Sequence, residues 1–100
     1  MLRIVGGRLS GRRFRGPGKN TRPTAERVRE AMFSALEARG AVEGARVLDL
    51  FSGTGALAFE ALSRGAGSAL TIDRDKRCIT AIREGAAALS LEGLSAISVD

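Results

Sequence analysis

The sequence predicts an α/β fold in which a parallel sheet is built as β-α-β-α-β, and three observations carry that prediction. Short apolar runs at 46–51, 69–73 and 95–99 alternate with segments of helical spacing at 55–64 and 75–91, the pattern of strands joined by crossover helices. The first run, RVLDLF, hands over to a glycine-rich turn, Ser52-Gly53-Thr54-Gly55-Ala56, at the place where open α/β sheets bind ligands. Twenty residues after Gly53 the second run closes on Asp73, in LTID. A carboxylate at that spacing is an acceptor for ribose hydroxyls.

The elements follow in order. Residues 1–23 read as a basic extension and 24–100 as the first part of the domain it precedes. Residues 1–30 hold nine Arg/Lys against two Glu, whereas residues 31–100 hold seven against nine Asp/Glu, so the net charge of +5 resides at the N-terminal end. The glycines and arginine spacing of RIVGGRLSGRRFRGPGKNTRPT suit an extended strand pair more than a helix. Such a segment seeks phosphate. With Phe14 as its lone aromatic, backbone contact and shape outweigh base stacking.

From Thr24 to about Gly40 the pattern becomes helical, with Thr24 as N-cap after Pro23 and Glu26 in the first turn. Ala25, Val28, Met32, Ala35 and Leu36 share one face, and Arg27, Glu30, Ser34 and Glu37 lie on the solvated one. The helix at 55–64 ends at Gly65. The helix at 75–91 places Cys78 beside Ile79 and Ile82, so the single cysteine reads as a core thiol. With no histidine, the usual metal sites and histidine-activated nucleophiles are not expected. No apolar run of about 18 residues and no cleavable leader is evident, so a cytoplasmic location is expected and no membrane contact.

Asp49 is the residue that does not fit a plain strand, because burying an unpaired carboxylate costs several kcal/mol. A cationic ligand would compensate it. Gly53-x-Gly55-x-x-Ala58 also fits the dinucleotide pattern, but a carboxylate four residues before Gly53 would repel a pyrophosphate. S-adenosylmethionine carries an ammonium and a sulfonium at one end, an adenosine at the other and no phosphate. Asp49 for the cationic end, Gly53 and Gly55 for close backbone approach with free amides at the following helix start, and Asp73 for the ribose form a consistent set.

The segment DLFSGTGAL, at 49–57, resembles the first motif of class I S-adenosylmethionine-dependent methyltransferases. Together with RIVGGxxxGRR, TRPTAERVREAMF and VLDLFSGTGALAFEALSRGA, it makes nearly the whole chain similar to the RsmD family, bacterial enzymes that methylate N2 of a guanine in 16S ribosomal RNA. The resemblance implies an incomplete Rossmann-like class I methyltransferase fold behind the basic β extension and helix. It also implies that Asp49, Ser52, Gly53, Gly55 and Ala56 face the methionyl part of the cofactor, that Asp73 takes the ribose and that Asp100 closes the adenine pocket.

The RNA-facing candidates are Arg3, Arg8, Arg12, Arg13, Arg22, Arg27 and Arg29, with Thr24 near the pocket mouth; Arg22 and Thr24 stand first because the Arg-Pro-Thr turn is rigid. The partner implied is 16S ribosomal RNA or the small ribosomal subunit. The family's Asp/Asn-Pro-Pro-Phe/Tyr motif, which positions the amine to be methylated, is absent from these 100 residues, so no catalytic residue is assigned. The chain accordingly reads as the N-terminal portion of a longer enzyme. An RNA-binding module without catalysis and a DNA amine methyltransferase are the alternatives.

Overall fold

The computed structural model describes residues 2–15, 23–50 and 52–99, with side chains from residue 25 onward in the second stretch. Two short strands, β1 (Leu2–Arg3) and β2 (Arg13–Phe14), pair antiparallel with Leu2 opposite Phe14. Helix α1 (Pro23–Ala38) follows, then β3 (Arg46–Leu50), α2 (Ala56–Ser63), β4 (Ser68–Asp73), α3 (Lys76–Ala88) and β5 (Leu94–Ser98). Strands β3, β4 and β5 form a parallel sheet in that order, with Leu50 opposite Ile72 and Ile72 opposite Ile97. The β-α-β-α-β unit is therefore present, behind a strand pair and a helix.

Where boundaries differ from the sequence reading, backbone chemistry gives the reason. Helix α1 starts at Pro23, which puts Thr24 inside the helix instead of at its cap. A proline's fixed φ and missing N–H suit a first helical position. Helix α3 stops at Ala88, short of the expected residue 91. There Ser90 takes φ 52°, its N–H reaches the carbonyl of Ala87 at 3.1 Å, and the Leu91 N–H reaches that of Ala86 at 2.9 Å. This paired closure satisfies the last carbonyls and reverses the chain toward β5. Phe51, expected to end the first strand, lies outside the described residues.

Helix α2 is buried from Ala58 to Ser63 because three layers meet on it. The sheet lies on one side. On another, Leu2, Ile4, Leu9 and Phe14 of the hairpin pack with Phe59, Ile79 and Ile82, and Phe14 meets Phe59 edge to face at 4.5 Å between centroids. Phe33 of α1 and Val42 pack with Ala58, Ala61 and Leu62. The basic hairpin thus shares its core with the domain behind it. Cys78 is buried in α3 as expected, and burial pushes its thiol pKa up.

The orientation of α1 corrects the sequence reading. Its expected apolar face is open, with Val28 63% exposed and Met32 and Leu36 also exposed, while Phe33 and Arg29 turn inward. The cause is Glu60, a carboxylate fully buried in α2. Its Oε1 accepts from the Val5 N–H (3.0 Å) and Arg29 Nε (3.1 Å), and its Oε2 from the Gly6 N–H (2.8 Å) and Arg64 Nε (2.8 Å). Arg29 also donates to the carbonyl of Arg3, so it ties α1 to β1 as well as to α2. Arg29 is therefore a buried structural cation and not an RNA-facing residue, because an unpaired carboxylate in this position would be far more costly than an arginine withdrawn from solvent.

One face of the sheet is left uncovered by the described residues. Leu48, Leu50 and Ile97 are exposed on it, while Ala69, Thr71 and Ala96 on the opposite face are buried under the helices. Among the described residues no strand lies along the outer edge of β3. Nor, among the described residues, is any helix long and apolar enough to cross a membrane.

Glu60 generates a stability prediction. Burial pushes its pKa up, but the four donors more than offset this and hold it below the ordinary 4.5. Its stabilisation is thus complete above pH 4.5 and is lost as the pH falls toward the depressed folded value. Glu60→Gln leaves the buried Arg29 guanidinium without its carboxylate, while Arg64 keeps Glu37, and is expected to cost about 3–5 kcal/mol at pH 7. Urea titrations at pH 7 and pH 3 check this: the gap between wild type and variant narrows in acid.

Candidate nucleoside-binding site

The turn between β3 and α2 is held open by its own hydrogen bonds. The Ser52 N–H reaches the carbonyl of Ile72 at 3.2 Å and the Gly55 N–H reaches that of Ser52 at 2.9 Å, which anchors the turn to β4 and closes it before the helix. Gly53 N–H donates to Asp73 Oδ2 at 2.8 Å, and Asp75 N–H donates to Asp73 Oδ1 at 2.9 Å. The Ala56 N–H, expected to be a free donor at the helix start, is instead given to Thr54 Oγ1 at 3.2 Å. Asp75 caps α3 by accepting from the Arg77 N–H.

The two glycines serve different ends. Gly55 has φ 81°, and a Cβ there would lie 2.8 Å from Ile82 Cγ1, so the fold requires a glycine. Gly53 has φ 54° with open space where a Cβ would stand. A ligand can approach the main chain there.

Two carboxylates flank this opening in contrasting environments. Asp49, on β3, is only 8% exposed, and its Oδ2 is the one buried side-chain polar atom without a hydrogen-bond partner among the described residues. Burial, and then the negative charge of Asp73, push its pKa up from 3.8. Asp73, at the end of β4, is half-buried; the N–H groups of Asp75 and Gly53 hold its pKa below 3.8, so it is an anion at neutral pH. Carboxylates whose pKa values are driven apart have been given different tasks by their surroundings. Asp73 organises the loop and keeps lone pairs for hydroxyl donors. Among the described residues no cation pairs with Asp49, and a cationic ligand group would supply one.

A cleft of about 610 Å³ opens beside the loop, lined by Ala25, Val28 and Met32 of α1 and by Thr54, Ala56 and Leu57. Thr54 is not among the residues the sequence singles out, although its place between the two glycines marks it. Ser52 is buried and Ala56 half-buried at the start of α2. Asp100 and Arg22 lie outside the described residues, as does the side chain of Thr24. Arg8, Arg12 and Arg13 are exposed on the hairpin and Arg27 on α1. Arg3 is paired with Glu26 at 3.1 Å. Arg15, exposed beside β2, is a further cation absent from the sequence-based candidates; the two-residue period of a strand puts it level with Arg13.

A parallel sheet with an open glycine turn at its first strand-helix junction, an aspartate at the end of the second strand that holds this turn and a buried unpaired one on the first strand belong to an α/β domain of the methyltransferase type in fold. In fold it is similar to an S-adenosylmethionine-dependent methyltransferase from Aquifex aeolicus, with a TM-score of 0.59 over 68% of this chain and 37% of that one, at 21% identity. The chain belongs to the family described as conserved hypothetical protein 95, whose model matches residues 2–100. It is 43% identical to the ribosomal RNA small subunit methyltransferase D of Escherichia coli K12, over 75% of this chain and 37% of that relative. The solved structure of yhhF from Escherichia coli is 37% identical, with a TM-score of 0.86 over 98% of this chain and 53% of that one. The chain thus spans about half the length, or less, of these relatives.

Two substitutions test the assignment of roles. Above its raised pKa, Asp49 imposes an uncompensated charge on the ligand-free fold, so Asp49→Asn is expected to raise the ligand-free Tm at pH 7 by roughly 2–4 °C, an advantage that fades as acid protonates the wild type. Gly55→Ala is expected to cost about 1–3 kcal/mol through backbone strain and the Ile82 clash. Thermal melts of both variants across pH check these signs.

Proposed function

We propose that this chain is the cofactor-holding part of an S-adenosylmethionine-dependent RNA methyltransferase that modifies N2 of a guanine in 16S ribosomal RNA, free or within the small subunit. The observation that carries the reading is the buried, unpartnered Oδ2 of Asp49 beside an open glycine turn. A pyrophosphate would meet repulsion from this carboxylate and from Asp73, whereas an ammonium or sulfonium is attracted by them. The name of the Escherichia coli relative and the motifs shared with the RsmD family support ribosomal RNA as substrate.

The residues divide the work. Asp49 compensates the cationic methionyl end, Ser52, Gly53, Gly55 and Ala56 shape the wall against which that end lies, and Asp73 accepts from the ribose hydroxyls. Bound S-adenosylmethionine supplies the electrophilic methyl group. Asp100 is placed against the adenine by resemblance alone. The exposed arginines, Arg8, Arg12, Arg13, Arg15 and Arg27, take the RNA backbone. The group that orients the guanine amine is not among these 100 residues.

Calorimetric titration of the full-length protein tests this, with NAD as control. S-adenosylmethionine is expected to bind and NAD not to. Asp49→Asn is expected to weaken the first about 30-fold, roughly 2 kcal/mol, with Asp73→Asn acting in the same direction. Because only the ionised carboxylate attracts a cation, wild-type affinity rises as pH increases above 3.8, and the Asp49→Asn variant lacks that slope. Equal affinity in wild type and Asp49→Asn would remove the central argument. RNA affinity with no nucleoside binding would favour the non-catalytic RNA-binding module.

A further inference from the structure

A second opening, away from the glycine turn, lies between β2 and α3. It is a cavity of about 280 Å³ with Phe14, Ala81, Gly85 and Ala88 as walls and Arg13, Arg15 and Glu84 at its rim. The cavity exists because α3 presents small side chains there. A Cβ on Gly85 would approach Phe59 Cζ to 3.1 Å, so the helix already sits as close to the aromatic pair as it can, and the alanines leave the space above unfilled. Strand alternation turns Phe14 inward onto Phe59 and Arg13 and Arg15 outward.

The charges at the rim are unlike a random basic surface. All three are exposed, and among the described residues neither arginine forms an ion pair with Glu84 or with any other carboxylate. Two guanidinium groups and one carboxylate around an apolar floor offer donors to an anion and an acceptor to an amine. A nucleotide has both. Its phosphate or base acceptors suit the arginines, an exocyclic amino group suits Glu84, and the ring fills the space over the alanines. The volume admits one base and excludes a duplex.

Resting on the RNA reading above, we propose that this cleft holds a single unpaired nucleotide of the RNA strand, remote from the base to be modified. Glu84 lies eight residues along α3 from Lys76, which follows the loop held by Asp73, so on the order of 12 Å of helix separates the rim of this cavity from that loop. A polymer of several nucleotides spans that separation. The cleft would therefore discriminate an RNA strand from a mononucleotide and fix its path over the domain.

The test uses the full-length protein and labelled single-stranded 12-mers of cytidine or uridine, titrated across salt. The Arg13→Ala/Arg15→Ala double variant is expected to bind at least tenfold more weakly, with the slope of log affinity against log salt reduced by about 0.7 for each phosphate left without its arginine. Ala81→Leu fills the cleft without removing charge, and is expected to weaken binding several-fold at unchanged slope. Glu84→Gln, at an exposed position that does not bear on folding, is expected to reduce the preference for the cytidine oligomer, whose amino group it would otherwise accept from. S-adenosylmethionine affinity stays at the wild-type value in all three. If wild type binds RNA while Ala81→Leu and Glu84→Gln match it, the cleft takes no base and the proposal is overturned alone. If wild type binds no RNA, the substrate reading falls first and this one with it.

Discussion

The buried carboxylate of Glu60 is the constraint around which the rest of the molecule is arranged. A charge in the middle of α2 is tolerable only when donors surround it, and here they arrive from three separate stretches of chain: two main-chain amides of the N-terminal hairpin, Arg29 of α1 and Arg64 just after α2. Each carboxylate oxygen takes two of these donors, so removing either arginine leaves the buried charge under-compensated. The hairpin and α1 are consequently fixed against α2. Ser63 adds to this by accepting from the Leu9 N–H and donating to the carbonyl of Gly6. Because α2 begins at the glycine turn, the same network determines which side chains of α1 border the cleft beside that turn.

Two internal carboxylates, eleven residues apart in sequence, show how surroundings assign different tasks to similar groups. Glu60 is saturated with donors and its pKa is depressed; Asp49 has an oxygen with none and its pKa is raised. The first holds the fold together. The second opposes it slightly, a pattern characteristic of ligand sites, where an interaction absent from the free protein is completed by what binds.

The exposed apolar residues have a different explanation. Val28, Met32 and Leu36 on α1, with Leu48 and Leu50 on the sheet, are large apolar side chains that no described residue covers. On α1 they are exposed because Arg29, held by Glu60, and Phe33 are the residues turned inward, and on β3 because the alternation that buries Asp49 turns Leu48 and Leu50 to the other face.

The sequence alone determined the β-α-β-α-β order, the glycine turn, the anomaly of Asp49 and the spacing to Asp73, because strand and helix periods, glycine requirements and the cost of a buried charge are local properties. Tertiary structure decided the rest. Arg29 is one more cation in a basic segment by sequence, and only the fold reveals that Glu60, 31 residues away, needs it. The depth of Asp49, the capture of the Gly53 amide by Asp73 and the cleft between Arg15 and Glu84 likewise depend on partners distant in sequence. Local rules give each side chain its capacity to pair, and only the packed chain settles which partner it meets.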